Sequence, residues 1–388
     1  MSTAPVPPGA RSGRIAALLA GPTGIGTASA RRFAPRPSVA PPAEPAPSLA
    51  EHVPPDVPAG AAEDDRHIAG LYCPPAVRDD RALADAVNAA LLAWVRDELR
   101  MDEPWVEAKL LAFDPGRSVM LCHPDAPSLE HLLVAGRFLV AENVVDDYYC
   151  EEEELGGGPD GLGARLLVAQ SAIDPSHLPA AYAPQWAAAL DAHPAPRSLV
   201  SAMAHFAALA SDAQLHRFRH DTANLYLGYL AEAADLQTGR TPAVWEYLTQ
   251  RQFNNFRPCL TITDSVGGYE LPAELFARPD VQRATALAST ASTVLNDLYS
   301  LRKEMALDRP HHNLPTVISA EDGCDIHEAF RRSVAVHNEL VHTFEHLAAP
   351  LAPLSPVLAR YLAGLSNWMG GNHEWHSGLV GTRYATGP

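Results

Sequence analysis

The chain has 388 residues, of which 47% are hydrophobic, and its formal net charge at pH 7 is −17. Such a chain can bury the core of one large domain or of two ordinary ones. Its acidic balance argues against a nucleic-acid partner and against docking on an anionic membrane surface. Alanine and leucine recur at helical spacing, without a convincing alternating strand pattern, so the predicted fold class is all-α.

Residues 1–65 differ in composition from the rest of the chain. Thirteen of the 35 prolines fall within the first 60 positions, among alanine, glycine and serine, and aromatic residues are nearly absent there. Such a segment cannot bury enough apolar surface to offset the conformational entropy lost on ordering. We predict a disordered Pro/Ala-rich extension over 1–65, followed by one α-helical domain over 66–388.

The five cysteines are scattered, odd in number and without a Cys-x-x-Cys pair. This usage is typical of reduced thiols, so we expect a cytoplasmic protein. No stretch approaches 18 uninterrupted apolar residues, and no membrane span is expected. A homodimer is left open.

The first helix of the folded part is predicted from Leu83 to Leu99, directly after two aspartates at 79 and 80. The sequence Phe-Asp-Pro-Gly at 113–116 predicts a turn. Ser128 is expected to cap the next helix.

That next helix carries an apolar run, Leu132–Val145, into the acidic stretch Asp146–Glu154, and three glycines and a proline follow. Carboxylates at a helix C-terminus oppose the macrodipole, a conflict that a bound cation would remove. Asp147 and Glu151 share a helical face, with Asp146 one position away. These oxygen donors suit Mg²⁺, and for this stretch alone a solvated acidic helix end explains the pattern equally well.

A basic run at 216–220, His-Arg-Phe-Arg-His, is flanked by Asp212 and Asp221. Alternating charge of this kind usually marks the exposed side of a helix. We therefore expect a solvated face there.

A helix is predicted to break at Asn254 and Asn255. Asparagine tolerates left-handed backbone geometry, and Pro258 prevents easy continuation of the helix. Arg251 lies just before the break, where the alternative to a functional role is an ordinary surface arginine.

A second oxygen-rich pattern places Asn296, Ser300 and Glu304 at i, i+4 and i+8. On a helix these positions drift by only about 40° per step, so the three side chains line one stripe. Either pattern alone could arise by chance. Two such stripes in one helical chain are hard to attribute to chance.

The two patterns together resemble the Asp-Asp-x-x-x-Glu and Asn/Ser/Glu metal-binding motifs of the class I terpene synthases. The segments 146–151, 257–272 and 366–375, with the proline-rich extension, look like the bacterial 2-methylisoborneol synthase branch of that family. The resemblance covers essentially the whole chain and is strongest from about residue 70 onward. Glu152, where that branch usually has Asp, falls outside the three expected ligands of the motif.

The resemblance implies one class I helical bundle around a central cavity, with three Mg²⁺ ions holding a substrate diphosphate. The implied metal ligands are Asp146, Asp147, Glu151, Asn296, Ser300 and Glu304. The implied diphosphate contacts are Arg251, Lys303, Arg383 and Tyr384, with Asn254 and Asn255 as the effector turn. At that turn the family more often has Asp or Thr followed by a small residue. The aromatic candidates for the cavity wall are Phe138, Phe253, Tyr269, Trp368 and Trp375.

The resemblance also implies (E)-2-methylgeranyl diphosphate as substrate, which would ionise, isomerise, close two rings and capture one water to give 2-methylisoborneol. A rival outcome is loss of a proton, which gives 2-methylenebornane. Another class I mono- or sesquiterpene cyclase and a non-catalytic acidic helical protein remain alternatives. A chain-elongating prenyltransferase would need a second Asp-rich motif, whereas the second site here is Asn/Ser/Glu.

Overall fold

The structure is a computed structural model that describes residues 67–151, 158–306 and 312–379. All of these residues belong to one compact unit. The extension predicted over 1–65, together with Arg383 and Tyr384, lies outside the described residues.

Within the three described ranges the chain is helical and has no β-strand, which confirms the predicted fold class. A π-helical turn, Asp147–Glu151, follows α4, and a 3₁₀ turn, Ala352–Leu354, follows α15. The α-helices are α1 (Arg81–Asp97), α2 (Pro104–Phe113), α3 (Pro115–Cys122), α4 (Leu129–Asp146), α5 (Leu162–Ile173), α6 (Ala183–Ala192), α7 (Pro194–Ala207), α8 (Asp212–Thr238), α9 (Val244–Gln250), α10 (Arg257–Thr261), α11 (Thr263–Val266), α12 (Ala273–Phe276), α13 (Pro279–Met305), α14 (Leu314–Asp322), α15 (Ile326–Leu351) and α16 (Pro356–Gly378).

Local sequence explains several helix ends. The Asp80 carboxylate accepts a hydrogen bond from the Leu83 amide at 3.1 Å and caps α1. The predicted turn is confirmed. Asp114 adopts the left-handed backbone conformation, with a φ of 50°, and lies between α2 and α3. Ser128 occupies the N-cap position of α4, but its hydroxyl lies 2.8 Å from Nδ1 of His131 and bonds no helix amide.

Helices α4 and α13 are held by their neighbours in the bundle. Helix α13 packs against α14, α15 and α16, and α4 packs against α1, α3 and α7. The fully buried side of α13 is built from small residues at helical spacing, Ala284, Ala288 and Ala291. Close packing on that side fixes the rotation of α13, and therefore the direction in which the stripe from Asn296 to Glu304 faces.

The basic run in α8 is only partly the solvated face that the sequence predicts, because His216 and His220 are exposed whereas Arg217 is buried. The Arg217 guanidinium donates to the Asp264 carboxylate at 3.1 Å. Asp221 is buried as well and accepts from Arg257 at 2.9 Å. The prediction is wrong for Arg217 and Asp221 because the partners that neutralise their charges lie more than 35 residues away along the chain.

None of the described helices is long and apolar enough to cross a membrane. The five cysteines lie within the described ranges and form no disulfide with one another.

Candidate active site

A cavity opens between the C-terminal halves of α4 and α13. Its empty space, counted with the open mouth, is about 1220 Å³. The residues predicted as site residues that line it are Asp146, Arg251, Asn254, Asn255, Asn296, Ser300, Lys303, Glu304 and Trp375.

The acidic motif begins where α4 ends. The sequence predicts that α-helix continues here, whereas the structure has the π-helical turn Asp147–Glu151. π-Helical turns are frequently found at functional sites. Asp146 lines the cavity, while Asp147 forms an ion pair with Lys109 at 2.8 Å. The structure does not describe the side chain of Glu151. The assignment of Asp147 and Glu151 as metal ligands therefore remains a prediction.

The three residues of the second motif share one stripe of α13 and all line the cavity. The Ser300 hydroxyl oxygen is buried and makes no hydrogen bond in the described part of the chain. Burial raises the pKa of Glu304 to about 7, and the charge of Asp297 adds to this effect. A bound cation would give the hydroxyl a partner and would stabilise the ionised carboxylate.

These donors fit a magnesium site. They are carboxylate, amide and hydroxyl oxygens, the hard donors that Mg²⁺ prefers over sulfur and imidazole. Among the described residues, no three acidic, histidine or cysteine side chains converge on one metal position. The stripe on α13 differs from such a cluster, because it offers one carboxylate, from Glu304, and two neutral oxygens, from Asn296 and Ser300.

Asn296 is oriented by a residue that sequence reasoning missed. Its amide nitrogen lies 3.1 Å from Nε2 of His376, and Nδ1 of that ring lies 2.8 Å from the Asn372 carbonyl oxygen. A carbonyl can only accept, so Nδ1 carries the proton and Nε2 accepts from the Asn296 amide. The amide oxygen is then directed away from α16, as a metal ligand requires.

Arg251 is held at the cavity by a buried network. It forms an ion pair with Asp297, and its Nε donates to the Tyr247 hydroxyl at 2.8 Å. The same hydroxyl donates to Asp297 at 2.8 Å, and the Leu314 amide donates at 3.1 Å. Burial raises the pKa of Asp297, and the adjacent guanidinium opposes that shift. The role of Asp297 could not be predicted from the sequence because its partners Arg251 and Tyr247 lie 46 and 50 residues away in the chain.

The predicted helix break is confirmed: α9 ends at Gln250 and α10 begins at Arg257. The Asn254 amide donates to Glu232 at 2.7 Å, and the Asn255 amide donates to the Arg251 carbonyl at 3.0 Å. A β-carbon at Gly228 of α8 would lie 2.3 Å from the Asn254 backbone nitrogen. Only glycine at that position lets α8 approach the break so closely.

Of the five aromatic residues proposed for the wall, Trp375 lines the cavity. Its ring nitrogen donates to the Phe113 carbonyl at 3.0 Å, and the two rings pack edge to face at 5.1 Å. Phe138 lies elsewhere, in the core against Phe206 and Phe218. Eight residues separate Phe138 from Asp146, which turns it about 80° from the cavity face.

The other three aromatic residues also lie away from this cavity. Phe253 is 39% exposed and borders a surface groove. Tyr269 packs under Arg360, whose guanidinium carbon is 4.0 Å from the ring centroid. Trp368 is buried beside Phe256, which is itself a cavity residue.

Glu142, Tyr229 and Glu232 line the cavity without having been singled out from the sequence. Tyr229 donates to Oε1 of Glu142 at 3.1 Å. Burial raises the pKa of Glu142 to about 7, and the tyrosine hydrogen bond opposes that shift. The sequence could have indicated Glu142, because a residue four positions before Asp146 lies on the same face of the helix.

An all-helical bundle in which Asp146 of the acidic motif and the stripe of Asn296, Ser300 and Glu304 border one cavity is the arrangement of a class I terpene synthase. The chain belongs to the terpene synthase family, since residues 137–343 match the family model described as terpene synthase family 2, C-terminal metal binding. It is accordingly a carbon–oxygen lyase acting on phosphates.

Within that family the chain is similar to 2-methylisoborneol synthases. The enzyme of Streptomyces ambofaciens is 46% identical over 366 residues, which cover 92% of this chain and 79% of the relative. The enzyme of Streptomyces coelicolor is 48% identical with the same coverage. A crystal structure of the latter with Mg²⁺ and 2-fluoroneryl diphosphate superposes with a TM-score of 0.79, covering 82% of this chain and 98% of that one.

Proposed function

We propose that the chain is a Mg²⁺-dependent cyclase that converts (E)-2-methylgeranyl diphosphate and water into 2-methylisoborneol and diphosphate. One observation carries the proposal: the oxygen donors of α4 and α13 border a single cavity whose remaining wall is partly apolar and aromatic. The identity of 46–48% to 2-methylisoborneol synthases over 92% of the chain supports the choice of substrate.

Three Mg²⁺ ions would be held by Asp146, Asp147 and Glu151 of the acidic motif together with Asn296, Ser300 and Glu304 of α13. When bound, Mg²⁺ neutralises the negative charge that develops on the departing diphosphate.

Arg251 and Lys303 line the same cavity and bring positive charge to it. Asp297 and Tyr247 hold the Arg251 guanidinium in place before substrate binds, so its donors need no reorganisation as charge develops. Arg383 and Tyr384 are proposed as further diphosphate contacts. Asn254 and Asn255 form the effector turn that links these contacts to α8.

The apolar part of the cavity wall shapes the hydrocarbon chain. Phe113, Leu139, Phe256 and Trp375 contribute this surface and exclude bulk water. The faces of aromatic rings attract a positively charged carbon skeleton. Exclusion of all but one water lets two rings close before the cation is captured.

The test is product analysis by gas chromatography–mass spectrometry, using purified full-length protein, Mg²⁺ and geranyl, 2-methylgeranyl or farnesyl diphosphate. We expect 2-methylisoborneol from 2-methylgeranyl diphosphate, and no turnover with EDTA. The variant Glu304→Gln should lose nearly all turnover while its melting temperature stays close to that of the wild type. Exclusive formation of 2-methylenebornane would replace the proposed product, and Mg²⁺ binding without any turnover would indicate a non-catalytic protein.

A further inference from the structure

Glu142 lines the cavity one helical turn before Asp146. Along α4 the cavity-lining residues are Leu139, Glu142, Asn143 and Asp146. Four residues of α-helix span about 6 Å, so the Glu142 carboxylate sits one turn below the aspartate of the metal motif. A carboxylate here faces the space where a hydrocarbon chain would extend from its diphosphate.

The carboxylate is half-buried and has one hydrogen-bond partner among the residues that the structure describes. Tyr229, on α8, donates to Oε1 at 3.1 Å, and both side chains line the cavity. Oε2 accepts no hydrogen bond from the residues that the structure describes. A buried polar group of this kind normally completes its hydrogen bonding with protein or with an ordered water.

We propose that Glu142 and Tyr229 hold the water molecule that ends the cyclisation and that Glu142 takes its proton. The inference rests on the proposed function and adds the catalytic residue for its last step. A lone pair of the water oxygen forms the new C–O bond to the cationic carbon, and one O–H bond of that water breaks. The proton passes to a carboxylate oxygen of Glu142, which leaves a neutral alcohol and a neutral carboxylic acid.

Tyr229 is a positioning residue in this step. Its hydroxyl, which comes from α8, donates to the Glu142 carboxylate on α4. This hydrogen bond keeps the carboxylate turned into the cavity. A water bonded to the carboxylate presents its lone pair to the cation. Without such a water, the cation loses a proton from carbon and the product is a hydrocarbon.

The experiment compares wild type, Glu142→Gln and Tyr229→Phe with 2-methylgeranyl diphosphate and Mg²⁺. Glutamine keeps the volume of the side chain and removes its capacity to take a proton. A positioned base contributes roughly 10²–10⁴-fold, so the ratio of alcohol to hydrocarbon should fall at least about tenfold in Glu142→Gln. The ratio should fall by a smaller factor in Tyr229→Phe. Total diphosphate release should change less than the ratio in both variants, since ionisation precedes water capture.

The product ratio separates the possible outcomes. A wild-type enzyme that makes the alcohol, with an unchanged ratio in folded variants, overturns this inference and leaves the proposed function intact. If the amounts of alcohol and hydrocarbon fall by the same factor, the inference is also overturned, because an equal loss indicates a general structural role. If Glu142→Gln fails to fold, Tyr229→Phe decides the question by the same ratio. A wild type that makes only hydrocarbons overturns the proposed function and this inference together.

Discussion

Nε2 of His376 lies 3.1 Å from the amide nitrogen of Asn296, and this contact determines which end of the amide faces the cavity. His376 is fully buried on α16, so its ring has little freedom to turn. Residues behind metal ligands commonly set ligand orientation, and their loss lowers metal affinity or activity by about 10–100-fold.

We therefore expect His376→Leu to raise the Mg²⁺ concentration needed for half-maximal turnover by about 10–100-fold. The measurement is a Mg²⁺ titration of the initial rate, together with thermal unfolding in the presence and absence of Mg²⁺ and diphosphate. His373→Leu is the matched control, because that histidine lies on the same helix and does not bond Asn296. An equal Mg²⁺ requirement in wild type and His376→Leu would contradict the positioning role.

A second prediction concerns the close approach of α8 to the helix break. Gly228→Ala would place a β-carbon 2.3 Å from the Asn254 backbone nitrogen, so one of the two segments must move. Turnover should fall by at least about tenfold, because misplacing a positioning element by about 1 Å can cost 10²-fold. Gly163→Ala is the control, since a β-carbon there meets Leu230 at an ordinary 3.6 Å. Wild-type rates in Gly228→Ala would show that the break is not sensitive to its packing.

The sequence predicted the elements whose signals are local. The stripe Asn296, Ser300, Glu304 was readable because α-helical spacing puts i, i+4 and i+8 on one face. The break before Pro258 was predictable because proline cannot continue a helix. The asparagines contribute through their side-chain hydrogen bonds, since neither Asn254 nor Asn255 adopts the left-handed conformation that the sequence suggests.

Contacts between residues that are distant in the sequence could not be predicted in this way. The bond from Tyr229 to Glu142 joins positions 87 residues apart, and that between His376 and Asn296 joins positions 80 apart. Phe138 illustrates a different limit. An aromatic side chain is suitable for a cavity wall, but the position of Phe138 around the axis of α4 directs its ring towards Phe206 and Phe218.

A third prediction concerns the pair of Arg251 and Asp297. Asp297→Asn would leave a buried guanidinium without its counter-charge, a change that typically costs about 3–5 kcal/mol. Denaturant unfolding measures this loss. Tyr247→Phe removes the hydroxyl that bonds both Arg251 and Asp297 but leaves their opposite charges paired, so a smaller loss of about 1–3 kcal/mol is expected. Equal and small losses in both variants would mean that the ion pair adds little to stability.

A fourth prediction follows from His337, which is buried on α15 near the thiol of Cys73. Burial lowers the pKa of His337 to about 4, against the opposing hydrogen bond to Asn338. Between pH 6.5 and 4 the unfolded chain therefore binds a proton that the folded chain does not, and acidification reduces stability. From the difference in pKa, this residue alone lowers the free energy of unfolding by about 3 kcal/mol over that interval.

The measurement is the difference in unfolding free energy between wild type and His337→Gln at several pH values. Glu142 and Glu304 titrate in the opposite sense, because their raised pKa of about 7 makes the folded chain bind more protons. Their contribution is the same in both proteins and cancels in the difference. A difference that stays constant from pH 7 to 4 would contradict the prediction.

The central claim, that this cyclase is built for a methylated ten-carbon chain, is tested most directly by competition among geranyl, 2-methylgeranyl and farnesyl diphosphates. Burial of one extra methyl contributes about 0.8 kcal/mol, roughly fourfold in binding, and the shape of a tight pocket extends discrimination to about 10–200-fold. We predict the highest kcat/KM for 2-methylgeranyl diphosphate, with geranyl diphosphate a slower substrate that gives ordinary monoterpenes. A clear preference for farnesyl diphosphate would contradict the assignment while leaving the class I mechanism intact.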